Sequence, residues 1–85
     1  MASELIEQLV VRAVQQSYDL WAAEHPNLAA VIDRIALTQQ AAQSLRASED
    51  YRNAVADYHR GLAEADLLNR LIDLAGPIVT GLLQL

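Results

Sequence analysis

Cysteine, lysine and phenylalanine are absent from the 85-residue chain. Without cysteine there is no disulfide framework, no thiolate nucleophile and no zinc knuckle. Without lysine there is no Schiff-base chemistry and no phosphate-binding lysine of a P-loop. All six basic residues are arginine, against 11 acids, for a net charge of −5. Phosphate backbones need a dense cationic face, so nucleic acid is not the expected partner. Glycine occurs three times and proline twice, which leaves long stretches without a breaker. The N-terminal residues show no basic segment before an apolar run, so a cytoplasmic location is the default expectation.

What is present is helix-forming. Ala, Leu, Gln, Glu and Arg dominate, and no window alternates apolar and polar residues long enough for a strand. A chain of this length buries only roughly 60–65% of its unfolded surface, so the core of one domain is thin. The pattern predicts an all-α fold. Its form is an antiparallel helical bundle of three helices plus a short C-terminal helix or tail, completed by oligomerisation.

Helix boundaries follow from caps and periodicity. The first helix is expected over 4–24, with Ser3 as N-cap and Glu4 and Glu7 on the positive end of the helix dipole. Leu5, Ile6, Leu9, Val10, Ala13, Val14, Leu20 and Trp21 share its apolar face. Val11 and Tyr18 fall outside that stripe and are available to a second surface. His25-Pro26-Asn27 ends the helix. A second helix is expected over 28–47, with Leu28, Val31, Ile35, Thr38, Ala42 and Leu45 as a coiled-coil-like seam. A third is expected over 49–75, stopped by Gly76-Pro77. Two readings stay open at Ser48-Glu49-Asp50: an N-cap that breaks the chain, or one long helix from 28 to 75. An uncharged apolar tail covers 78–85.

The search for chemistry yields little. His25 lies in a turn and His59 has no carboxylate at i±3 or i±4, so the Glu-x-x-His pair of carboxylate-bridged metal bundles is missing. Arg52, His59, Asp66 and Asp73 recur every seven positions and form a polar stripe, most simply a solvated face. No nucleophile–base–acid arrangement and no glycine-rich phosphate loop is visible. The chain is therefore expected to be no enzyme and to need no metal or cofactor.

Apolar surface is more plentiful. Leu67, Leu68, Leu71 and Leu74, with Ile78, Leu82 and Leu83 of the tail, exceed what a small bundle easily covers, and are expected to form an association surface.

The segment Ala54-Val-Ala-Asp-Tyr-His-Arg-Gly-Leu-Ala-Glu64 is similar to parts of the long helical hairpins of TolC-like outer-membrane efflux proteins. The resemblance implies a small-residue coiled-coil surface. It covers about an eighth of the chain, and the β-strands of that family are not seen here, so it transfers no functional residues.

The function expected is that of a small acidic helical interaction module or assembly subunit that self-associates. A homodimer is the simplest form, with another protein as a further class of partner. The alternative is a binder of a lipid surface or apolar ligand through the C-terminal helix and tail. The acidic balance tells against anionic membranes, and no segment is long and apolar enough to span a bilayer.

Overall fold

A chain with few breakers still turns four times. The helices are α1 (Ala2–Glu24), α2 (Pro26–Ala29), α3 (Arg34–Ala47), α4 (Glu49–His59) and α5 (Glu64–Leu83) in the computed structural model, which describes residues 2–83, with side chains from residue 4. No strand occurs among the described residues, so the fold is all-α. Five helices thus stand where three and a tail were expected. Ser3 lies inside α1 rather than before it. Its side chain and residues 84–85 of the expected tail are outside the described residues.

The helix expected over 28–47 is divided. Pro26 occupies the start of α2, whose turn ends in short-range bonds from Val31 to the Leu28 carbonyl and from Ile32 to that of Ala29. The β-branched pair Val31-Ile32 is a poor continuation of a helix. Asp33 then opens α3 afresh, its carboxylate accepting from the backbone N–H groups of Ile35 (3.1 Å) and Ala36 (3.2 Å).

Ser48 makes the next break. It takes extended geometry and donates its hydroxyl to the Leu45 carbonyl at 2.8 Å. The same oxygen accepts from the Tyr51 N–H at 3.1 Å, so one residue closes α3 and caps α4. Glu49 and Asp50 follow in the first turn, where the dipole favours them.

The helix expected to run unbroken from 49 to 75 stops at His59. Gly61 has a φ of 121°, open to glycine at little cost. Around it Gly61 donates to the Tyr58 carbonyl and Leu62 to that of Asp57, satisfying the last carbonyls of α4. The 54–64 segment is therefore a helix end and a turn, with Glu64 opening α5, rather than part of the unbroken helix expected over 49–75. The seven-residue stripe is cut as well. Arg52 and His59 stand on α4, Asp66 and Asp73 on α5, and all four are exposed.

Gly76-Pro77 does not stop α5, which continues to Leu83. An interior proline costs about 3 kcal/mol. Pro77 stands on the exposed side, however, opposite the buried line Leu67, Leu71, Ala75 and Val79. Each large apolar side chain buried is worth about 1.5–3 kcal/mol, so the packing on the other face outweighs the proline.

α1, α3 and α5 pack mutually, with α1 and α5 sharing the largest contact. α1 and α3 are antiparallel, as the ion pairs Glu7–Arg46 and Asp19–Arg34 require. α1 and α5 run parallel: Leu9 neighbours Ala65 and Leu68, while Trp21 neighbours Ile72 and Gly76. The core joins Ile6, Leu9, Val10, Ala13, Val14 and Tyr18 of α1 to Ala41, Ala42 and Leu45 of α3, Ala54 of α4 and the α5 line. The molecule measures 42 × 20 × 20 Å, about two helix diameters in section.

The two exposed glycines in open space should respond oppositely. Gly61→Ala must hold a strained φ and is expected to lose about 1–3 kcal/mol. Gly81→Ala lies inside α5 with nothing near its added methyl and is expected to gain about 0.5–1 kcal/mol. Urea denaturation of the two variants checks both signs.

Candidate interaction surface

The residues expected to form an association surface divide by depth. Leu67 and Leu71 are wholly buried against the chain's own core. Leu68, Leu74, Ile78, Leu82 and Leu83 are half-buried and pack around it. Most of this apolar wealth is engaged inside the fold.

The large apolar side chains left open lie elsewhere. Val31 is 81% exposed, Ile35 70%, Leu20 62%, Leu28 55% and Val11 42%. Leu28, Val31 and Ile35 form the first half of the seam that was expected to face inward. The cap at Asp33 resets the helix, so Leu28 and Val31 are carried on a separate turn. On α3 burial begins only further along, at Ala41, Ala42 and Leu45. Leu20, expected in the apolar stripe of α1, overhangs a hollow where α5 presents Ile72, Gly76 and Thr80. The Ser17 hydroxyl faces the same region, buried and without a partner. Tyr18, expected outside the stripe, is in the core, and Arg34 lies 5.8 Å from its ring centre. Trp21 is half-buried and stacks on His25 at 4.9 Å.

Val11 and Ile35 stand on the two walls of a groove between α1 and α3. It encloses about 340 Å³ and is lined also by Val14, Gln15, Thr38, Gln39, Ala42 and Gln43, with Arg46 at one end. Ala42 and Val14 are its buried floor; the glutamines are its exposed, uncharged rim. Arg46 holds Glu7 in a fork, Nε to Oε1 and Nη2 to Oε2 both at 2.7 Å. Arg34 reaches Asp19 at 3.2 Å. These pairs are exposed, so each is worth only about 0.2–1 kcal/mol; their effect is to set the register of α1 on α3. The carboxylate raises the Arg46 pKa above its ordinary value by accepting its hydrogen bonds. Beside them, burial holds the Tyr51 hydroxyl pKa above its usual value, with Glu7 adding to the rise and Arg46 opposing it.

No group of three or more His, Asp or Glu that could hold a metal ion occurs among the described residues. His25 directs Nδ1 to the Trp21 carbonyl at 3.1 Å, and His59 is exposed on α4 beside Tyr58. No described helix is long and apolar enough to cross a membrane. Compared with protein-family models, curated proteins and solved structures, the chain matches none. Architecture therefore defines its class: a small all-α protein with large apolar side chains exposed along α1, α2 and α3.

Burial separates the leucines energetically. Leu71→Ala is expected to cost about 2–5 kcal/mol and Leu20→Ser to stay within about 0.5 kcal/mol of the parent, by urea denaturation. Tyr51 predicts an alkaline effect. A phenol whose pKa rises on folding contributes stability that is complete below its unfolded value of about 10 and is lost as pH climbs through the folded value. The melting temperature should therefore fall above about pH 10, and fall less in Tyr51→Phe.

Proposed function

We propose that this protein is a small acidic helical interaction module that self-associates, an assembly subunit without catalytic chemistry. The observation that carries the reading is the run of open apolar side chains at Leu28, Val31 and Ile35, continued by Val11 across the α1–α3 groove. Single exposed apolar residues are ordinary, but a grouped set beside a groove is the usual mark of a partner-binding face. The interaction face of the proposal is thus the α1–α3 side.

The lipid-binding alternative drew on the C-terminal helix. That helix directs Leu67, Leu71 and Val79 inward, which removes much of the apolar surface the alternative relied on.

Light scattering at micromolar concentration tests the reading. The expected particle is about twice the 9.3 kDa chain mass. A 9.3 kDa particle that unfolds cooperatively would overturn it.

A further inference from the structure

The geometry points to a two-fold dimer in which the α1–α3 face packs on the same face of a second copy, with the axis running along the helices, so that α1 lies on the partner's α3. This rests on the self-association proposed above and names its surface and symmetry.

Charge selects the surface. The ion pairs Glu7–Arg46 and Asp19–Arg34, which join α1 to α3, sum to zero, whereas the whole chain carries −5. The excess acid lies on the rest of the molecule. Two acidic copies meet without net repulsion where both faces are neutral.

Charge also selects the axis. Both acids are on α1 and both bases on α3, twelve positions apart on each helix, a rise of about 18 Å. An axis across the helices stacks α1 on α1, bringing Glu7 towards the partner's Asp19 and Arg46 towards the partner's Arg34. Like charges then face one another. An axis along the helices lays α1 on the partner's α3 at the same level. Glu7 now meets the partner's Arg46, and Asp19 the partner's Arg34, so each charge gains an opposite one from the other chain.

The apolar pattern agrees. The ion pairs place Val11 level with Ala42, so in this arrangement the exposed valine enters above the partner's small Ala42. Gln15 comes level with the partner's Thr38 and Gln39, whose polar groups can hydrogen-bond across the seam. Both α2 turns fall at the same end of the dimer, where Leu28 and Val31 cover their counterparts. With the other axis those turns lie at opposite ends.

The absence of native cysteine makes cross-linking a clean test. Gln15→Cys and Gln39→Cys variants, both at exposed positions, are mixed under reducing conditions and then oxidised, and light scattering is run on each. The expected result is a double-mass particle and a disulfide-linked dimer from the mixture, with far less from either variant alone. Val11→Arg, helical by circular dichroism, should weaken association by about tenfold or more. A double-mass particle without the mixed link, or with equal links from single variants, overturns this arrangement and leaves self-association standing. A 9.3 kDa particle overturns both.

Discussion

The line of Leu67, Leu71, Ala75 and Val79 on α5, laid along Val10, Val14 and their neighbours on α1, holds the remaining structure in place. Its four-residue spacing keeps one narrow stripe of α5 inward for most of the helix. That stripe carries α5 past Pro77, whose lost hydrogen bond falls on the solvent side. α3 joins through the short side chains of Ala41 and Ala42, which bring it close, and through the wholly buried Leu45. α4 contributes one fully buried residue, Ala54, and serves mainly to carry the chain from α3 to the start of α5.

Helical character, the apolar face of α1 and the absence of strands were legible from composition and periodicity, because helix formers and 3.6-residue spacing act locally. Ser48 was legible as a cap for the same reason, though only tertiary packing decides between a cap and a through-running helix. Three features were not. Asp33 carries a cap signal, but the seam from Leu28 to Leu45 reads as continuous if the helix is assumed to begin at Asn27. Gly61 ends α4 although no proline accompanies it. Pro77 reads as a stop until the buried stripe opposite it is known. The exposed surface depends on these features: Leu28 and Val31, on the turn set apart by the Asp33 cap, are open to solvent, and Leu67 and Leu71 are wholly buried.

Polar contacts do a different task from the core. The exposed pairs Glu7–Arg46 and Asp19–Arg34 add little stability, and they match the register in which the buried Ala41, Ala42 and Leu45 seat α3 against the core. Asp57 plays a similar part between α4 and α5, accepting from Arg70 at 2.7 Å while its backbone carbonyl caps the turn at Leu62. Each of the side-chain pairs is made by arginine, the cation that holds a carboxylate with fixed geometry.

A rod two helices thick has a scaling property of its own. Adding turns to its helices lengthens the interior and the solvent-facing skin in equal measure, so the apolar fraction enclosed per residue hardly changes. Lengthening such a shape adds stability only in proportion to the residues added. A larger enclosed fraction has to come from cross-section, and 20 Å of width leaves every helix with a wet side on which a further layer can be laid.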